Sequence, residues 1–290
     1  MSPSPILWID LQPTLHCFNQ RLAKRLSKNR LIKRWSFQHD LDEACSIETI
    51  HLMMLETINE GREKYHLAGH GISGGIAHLF ACKYPKLVHS ATLLSADTTI
   101  TNQWTSHYLE MRSQLPCGRE RILSHLSSQL FGNDLSRKFP IFASLLAKCL
   151  DEEYILGSIA SQIKRGRFKA SDIPTLVING NDAFVIDRTA RTRWSEQLKS
   201  GDHYRAIGNA RHFFHHQEAN QTADVIESFL GMVPEEEMNN SFTIKSAYSP
   251  TQISKNDGLY RLRRTHCWRR SCRMCLRSIH SKIINQNTNP

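Results

Sequence analysis

The sequence has no apolar run that approaches the ~20 residues needed to cross a membrane. Its first residues, MSPSPILWID, have neither the basic opening nor the apolar core of a signal peptide. Because an export signal is lacking, we expect the 8 cysteines to be thiols rather than a disulfide framework. These absences predict a cytoplasmic protein without a transmembrane segment, and 290 residues suffice for one large core and a tail.

Positive charge exceeds negative charge, with a formal net charge of +10, and the excess is unevenly spread. From Pro234 onward the chain has ten Lys or Arg and four Asp or Glu, so this part contributes +6. Such basic groups can contact phosphate or acidic lipid, although a solvated helix face is their commoner role. A second basic group lies near the N terminus: Arg21, Lys24, Arg25, Lys28, Arg30, Lys33 and Arg34.

Short apolar runs alternate with helical periods along most of the chain. Strands are predicted at residues 6–9, 31–37, 65–69, 89–96, 173–180 and 203–207, and helices at 12–27, 42–58, from 76, 189–199 and 219–230. Residues 97–170 are expected to be helical and amphipathic. The alternation predicts an α/β protein, with right-handed crossovers and helices on both faces of a parallel sheet. This domain should span residues 1–233, followed by a polar linker and basic tail over 234–290.

Four glycines lie within seven residues between a predicted strand and a predicted helix: Gly69, Gly71, Gly74 and Gly75. Strand, glycine turn and helix form a nucleophile elbow, in which small residues allow a strained turn to lift one side chain above the sheet. The stretch resembles the elbow of the α/β-hydrolase superfamily, with its Gly-His-Ser-X-Gly-Gly turn and a helix that ends before a proline, here Pro85. The resemblance is to esterase- or lipase-like members and covers roughly residues 6–230.

The resemblance places the nucleophile's position at Gly71, which has no side chain that could attack a substrate. A second register exists, because residues 71–75 also match Gly-X-Ser-X-Gly with Ser73 as the nucleophile. The spacing to Pro85 favours Gly71 as the elbow residue. Ser73 would then lie in the first helical turn, rotated by roughly 200° about the helix axis, where it caps or packs.

The same resemblance assigns the base and the acid. His212 occupies the position of the catalytic histidine, whereas His215 and His216 are expected at the surface or facing a cap. The acid position falls on Ala183. Asp182, one residue earlier, and Asp97, after the preceding strand, are the alternative acids.

Two further features of the superfamily differ in this chain. Its two N-terminal antiparallel strands are expected to be absent, because only five residues precede Ile6. Asp10-Leu11-Gln12-Pro13 stands where a His-Gly turn usually supplies an oxyanion-hole amide. A carboxylate at this turn would repel a developing oxyanion. Residues 98–170 correspond to the helical cap that covers the pocket in many relatives. Simple packing of these helices against the sheet edge is the alternative.

The basic tail contains a possible metal site. Cys267, Cys272, Cys275 and His280 give the spacing Cys-X4-Cys-X2-Cys-X4-His, whose thiolates and imidazole could hold a tetrahedral zinc ion. A disordered basic tail is the alternative. Its arginines could also bind nucleic acid or an anionic surface.

Three functions follow from these patterns. The first is an α/β-hydrolase-fold protein that has lost serine-hydrolase chemistry and binds a small apolar ligand or a protein partner. The second is an esterase-like hydrolase that uses Ser73, His212 and either Asp182 or Asp97 on an ester-like substrate. The third is binding of nucleic acid or an anionic surface through the tail.

Overall fold

The computed structural model describes residues 3–37, 46–61, 63–99, 103–153, 170–186 and 189–235, with only the backbone at 133–134. Cys267, Cys272, Cys275 and His280 lie outside these residues. The zinc and nucleic-acid hypotheses for the tail therefore stay predictions, as does the domain boundary near residue 233.

Six parallel strands form one sheet in the order β2-β1-β3-β4-β5-β6. The strands are β1 (Ile6–Asp10), β2 (Ile32–Ser36), β3 (Tyr65–His70), β4 (Val88–Leu94), β5 (Thr175–Gly180) and β6 (His203–Ile207). Every residue of β1, β3, β4 and β5 is buried, as expected for parallel strands with helices on both faces. The predicted α/β class and parallel sheet are thus confirmed, and every strand pair in the described residues is parallel.

Nine α-helices are described: α1 (Gln20–Leu26), α2 (Ile47–Gly61), α3 (Ile72–Lys83), α4 (Trp104–Gln114), α5 (Arg119–Phe131), α6 (Phe139–Glu152), α7 (Ala190–Ser195), α8 (Phe214–Gln217) and α9 (Ala219–Leu230). The helix predicted at residues 12–27 is divided, because Pro13–Phe18 forms a 3-10 helix before α1. Asn19 lies at the division, where its side chain bonds to His215. A tertiary contact therefore overrides the continuous helical period.

The strand order reverses direction between β1 and β3. The connection from β1 leads through α1 to β2 on one side, whereas β3 leads through α3 to β4 on the other, so right-handed crossovers place α1 and α3 on opposite faces. Helix α9 packs beside α1. The carboxyl ends of β1 and β3 therefore flank the crevice at which open α/β sheets bind ligands.

Four phenylalanine rings form the centre of a hydrophobic cluster, which joins α5 and α6 to the loops near the carboxyl ends of the strands. We call them the aromatic quartet: Phe18, Phe131, Phe142 and Phe213. Phe131 stacks on Phe213 with ring centroids 4.7 Å apart, and Phe131 lies 4.2 Å from Phe142. Offset aromatic contacts of this kind add about 0.5–1.5 kcal/mol each beyond their buried area. The quartet ties α5 and α6 to the loop that carries His212.

The basic group near the N terminus is largely paired with carboxylates of the same chain. Arg25 contacts Asp224 and Glu227, Arg30 contacts Glu235, Lys33 contacts Glu63, and Arg34 contacts Asp10. Side chains held in this way are less available to phosphate or acidic lipid. Most of these basic side chains therefore belong to a solvated surface with internal ion pairs rather than to a binding patch.

Glu235 anchors the end of the described chain to the amino ends of the strands. Its carboxylate accepts hydrogen bonds from Ser4 N–H at 2.8 Å, from Arg30, and from His66 Nε2 at 3.2 Å. Burial raises the pKa of Glu235, but these hydrogen bonds outweigh it and bring the pKa to about 2. A carboxyl group whose pKa is lower in the folded state stabilises the fold above its unfolded pKa, and this stabilisation disappears as the pH falls toward the folded pKa.

We therefore expect Glu235→Gln to lower the free energy of unfolding by about 1 kcal/mol at pH 7, a modest value because the residue is partly exposed. The difference from the parent chain should shrink between about pH 4.5 and pH 2. Urea unfolding of both chains across this range measures it. A difference that stays constant down to pH 2 would contradict the anchoring role of the charge.

Candidate functional site

The turn between β3 and α3 has the shape of an elbow, with Gly71 at its apex. Gly71 precedes the first helical residue and has φ 56° and ψ −124°, a conformation that favours glycine. A Cβ atom on Gly69 would lie 2.6 Å from the backbone of Ser73, and one on Gly74 would lie 2.8 Å from the Gly69 carbonyl oxygen. The glycine pattern therefore allows α3 to begin directly against the end of β3, with Ser73 as its second residue.

The hydroxyl of Ser73 is held by the loop that follows β1. Ser73 is buried, and its Oγ accepts a hydrogen bond of 3.0 Å from Leu11 N–H. This bond joins the loop after β1 to the start of α3, which follows β3, and the strand order reverses between these two strands. The preceding residue, Asp10, binds Arg34 Nε at 2.8 Å and Gln12 N–H at 3.2 Å, so its buried charge is paired.

His212 lies on the loop between β6 and α8, and its backbone is fixed by neighbours from two strands. Ser95 Oγ–H and His70 Nε2, the latter at 3.0 Å, bond to the His212 carbonyl oxygen. A Cβ atom on Gly180 would lie 2.3 Å from the Ala210 carbonyl oxygen. Glycine at the end of β5 therefore allows the loop that carries His212 to pack closely against this strand. The loop therefore holds His212 beside His70, with ring centroids 4.7 Å apart.

The imidazole of His212 is fully enclosed, and both of its ring nitrogens are without a hydrogen-bond partner among the described residues. Burial lowers the pKa of His212 well below its usual value, and the nearby His70 and His107 lower it further. Burial likewise lowers the pKa of His70 to about 4. His212 is therefore neutral at pH 7, with one nitrogen able to donate and the other able to accept.

Neither candidate acid orients His212. Asp182 is exposed on the turn after β5, and its N–H donates to the Ala210 carbonyl oxygen. Asp97 is buried, but its carboxylate binds the guanidinium of Arg193 through both oxygens, with Nε to Oδ1 at 3.0 Å. Ala183, at the acid's position, is buried in the hydrophobic cluster of the aromatic quartet. The structure thus brings His212 together with histidines rather than with a carboxylate.

The expectation that His215 lies at the surface is wrong. His215 is completely buried, and its Nε2 lies 2.8 Å from Asn19 Oδ1. Its ring is 4.5 Å from that of His70, so three histidines contact one another inside the protein. His216 is half-buried and packs edge-on against Phe18. The helix α8, which follows the loop, turns His215 inward.

Several residues of this site were not proposed as functional residues from the sequence: Leu11, His70, Gln103, His107 and Arg193. Leu11 contributes only its backbone, and Arg193 reaches Asp97 from a position far along the chain. Gln103 and His107 lie at the start of α4, whose placement above the elbow cannot be read from periodicity. Only His70, next to Gly71 within the glycine pattern, could have been proposed from its position.

The described residues show neither a metal-binding cluster nor a membrane-spanning helix. No group of three or more His, Cys, Asp or Glu side chains there could hold a metal ion. None of the described helices has the length and apolarity required for a membrane span.

The Ser73 hydrogen bond predicts a structural role that can be measured. Ser73→Ala should leave the buried Leu11 N–H unpaired and lower the free energy of unfolding by about 1–3 kcal/mol. The control is Ser113→Ala at an exposed position of α4, where a change within about 0.5 kcal/mol is expected. Urea unfolding of the variants compares them. Equal effects of both substitutions would argue against the bond.

Comparison with known proteins gives relatives of the sequence and of the fold. No family model matches the chain. An uncharacterized protein of Nostoc sp. is 27% identical over 239 residues, covering 82% of this chain and 95% of the relative. An uncharacterized protein of Synechocystis sp. is 26% identical over 246 residues, covering 83% and 96%.

Solved structures share the architecture at low sequence identity. The crystal structure of the enol-lactonase from Burkholderia xenovorans LB400 matches with a TM-score of 0.63 at 16% identity, covering 80% of this chain and 92% of that one. MGS-M2, an α/β-hydrolase enzyme from a deep-sea metagenome library of the Medee basin, matches with a TM-score of 0.60 at 14% identity, covering 81% and 92%. Together with the parallel sheet and the elbow at Gly71, these matches show that the chain has the α/β-hydrolase fold.

Proposed function

We propose that this protein has lost serine-hydrolase chemistry and uses the former catalytic pocket to bind a small apolar ligand. The observation that carries the proposal is the conformation of Gly71, which occupies the apex of the elbow at φ 56° and has no atom that can attack a carbonyl carbon. Covalent catalysis needs a nucleophile, a base and a group that orients the base. In this proposal, only the base, His212, is retained.

The contacts of the other polar groups support the loss. The Ser73 hydroxyl receives the Leu11 N–H, the Asp97 carboxylate is bound by Arg193, and Asp182 is exposed. A triad acts as a unit, so the loss of one member leaves catalysis that is weaker by orders of magnitude. Three separate changes therefore favour a binding protein over a slow enzyme.

The surroundings of His212 favour a small apolar ligand. The hydrophobic cluster built on the aromatic quartet extends into α4 through Trp104 and Tyr108 and to the turn after β5 through Ala183 and Val185. Largely apolar walls with a few polar groups are the usual composition of ligand pockets. Helices α4 to α6 would act as the cap of this pocket. A protein partner that docks on the same helices is the alternative form of the binding function.

The competing function is an esterase-like hydrolase with Ser73 as nucleophile, His212 as base and Asp182 or Asp97 as acid. Its support is the Gly-X-Ser-X-Gly pattern at residues 71–75 and the buried histidine. It requires the Ser73 hydroxyl to leave Leu11 and to approach His212. It also requires Asp97 to separate from Arg193, or Asp182 to turn inward from solvent.

A serine-directed fluorophosphonate probe separates the two functions. We expect the parent chain to remain unlabelled, and Ser73→Ala to behave in the same way. Gly71→Ser should gain labelling, because a Cβ at this position meets Gln103 Oε1 at 3.3 Å and little else in the described part of the chain. Labelling should be slow, since the acid is missing and its loss costs roughly 10⁴-fold in a triad.

The result that contradicts the proposal is labelling of the parent chain that disappears in Ser73→Ala, together with turnover of a short-chain aryl ester. Circular dichroism of each variant serves as the folding control. Gly71→Ala is the matched substitution for Gly71→Ser, because it adds the same Cβ strain without a hydroxyl group.

Nucleic-acid or anionic-surface binding by the tail is a separate proposal that rests on the eight Lys and Arg between Arg261 and Lys282. Binding through such side chains should weaken steeply as salt rises. The chain truncated after Glu237 lacks the basic tail but retains the contacts of Glu235, so it is compared with the full chain. Equal binding of both chains to single-stranded RNA would show that the tail is not the binding element.

A further inference from the structure

Among the described residues, little contacts the side of Gly71 from which a side chain would project at the apex of the elbow. A Cβ atom on Gly71 would find one non-neighbouring atom of the described residues within 4 Å, Gln103 Oε1 at 3.3 Å. Gln103 stands directly before α4 and is itself buried. The space left by the missing side chain therefore lies between the elbow and the start of α4.

His212 packs against His70, the residue that precedes Gly71, with ring centroids 4.7 Å apart. Buried polar atoms in proteins nearly always have a hydrogen-bond partner, so a buried side chain with none needs an explanation, and a bound molecule supplies one. Both ring nitrogens of His212 are buried and have no hydrogen-bond partner within the described part of the chain. His70 cannot satisfy them, because its Nε2 bonds to the His212 carbonyl oxygen instead.

Within the described part of the chain, the surroundings of His212 offer no counter-charge to a ligand. Its titratable neighbours there are His70, His107 and His215. Burial lowers the pKa of His70 to about 4 and that of His215 well below its usual value, so both are uncharged at pH 7. The nearest strand-end carboxylates are bound elsewhere, Asp97 by Arg193 and Asp10 by Arg34. A charged ligand group would be buried without a partner, which is strongly unfavourable. A neutral group that can donate or accept one hydrogen bond has no such cost.

Resting on the proposed function, we infer that the ligand is an uncharged apolar molecule with a hydroxyl group, bound with that hydroxyl against His212 in the space beside Gly71. The hydroxyl supplies the missing partner of the imidazole, and the apolar part lies against the hydrophobic cluster. The ligand binds reversibly, and no bond of the ligand is broken. Carboxylates and amines of the same shape are excluded by the lack of a counter-charge.

Four small probes of nearly equal shape test this inference on the full chain at pH 7: toluene, benzyl alcohol, benzoate and benzylamine. Isothermal titration calorimetry gives each dissociation constant. We expect benzyl alcohol to bind about tenfold more tightly than toluene, the ratio that one hydrogen bond supplies. Benzoate and benzylamine should bind at least tenfold more weakly than benzyl alcohol.

Two variants assign the effect to the site. His212→Phe keeps a ring of similar size and should abolish the preference for benzyl alcohol while retaining toluene. Gly71→Ala should weaken both neutral probes, because its Cβ enters the space. The matched control is His51→Phe on α2. His51 is another buried histidine, its Nε2 has no hydrogen-bond partner among the described residues, and its replacement should leave the preference unchanged.

Three outcomes overturn the inference. If toluene and benzyl alcohol bind equally, the ligand has no polar anchor at His212, although the proposed binding function stands. If benzoate or benzylamine binds as tightly as benzyl alcohol, the site accepts charge and the inference is wrong. If none of the four binds and aryl-ester turnover depends on Ser73, the proposed function fails as well.

Discussion

The approach of α3 to the carboxyl end of β3 is the constraint on which the site depends. Residues with side chains at Gly69 or Gly74 would collide with backbone atoms less than 3 Å away. Because the helix begins so close to the strand, the chain must turn sharply, and Gly71 takes a backbone conformation that few residues tolerate. The turn fixes which residue faces the crevice and which residue starts the helix.

This turn determines which partner each polar group near the strand ends contacts. The apex carries Gly71, while Ser73 is directed to the Leu11 amide and so links the two strands at which the sheet order reverses. Two carboxylates near the strand ends are neutralised by arginines. His212 is enclosed, and its two ring nitrogens have no hydrogen-bond partner among the residues that the structure describes. An unsatisfied buried group lowers stability, and a bound molecule at His212 is the explanation that the proposed binding function offers.

Much of the fold could be predicted from the sequence because its signals are local. The apolar runs, the glycine spacing and the final helix at Ala219–Leu230 depend on neighbours in the chain, and β6 at His203–Ile207 was predicted with its observed bounds. The partners of the polar side chains could not be predicted in this way. Arg193 reaches Asp97, and Asn19 reaches His215, across distances along the chain that no periodic pattern encodes. The inward position of His215 was missed for the same reason.

The central claim is that the elbow presents Gly71, and not the Ser73 hydroxyl, to the imidazole of His212. The most direct measurement is the ¹H–¹⁵N spectrum of the histidine ring nitrogens, with the His212 signals assigned by their loss in His212→Gln. Replacing Ser73 by alanine should leave the His212 ring shifts unchanged, because the hydroxyl bonds to Leu11. A clear change in those shifts would mean that the serine oxygen bonds to the ring, and the account would be wrong.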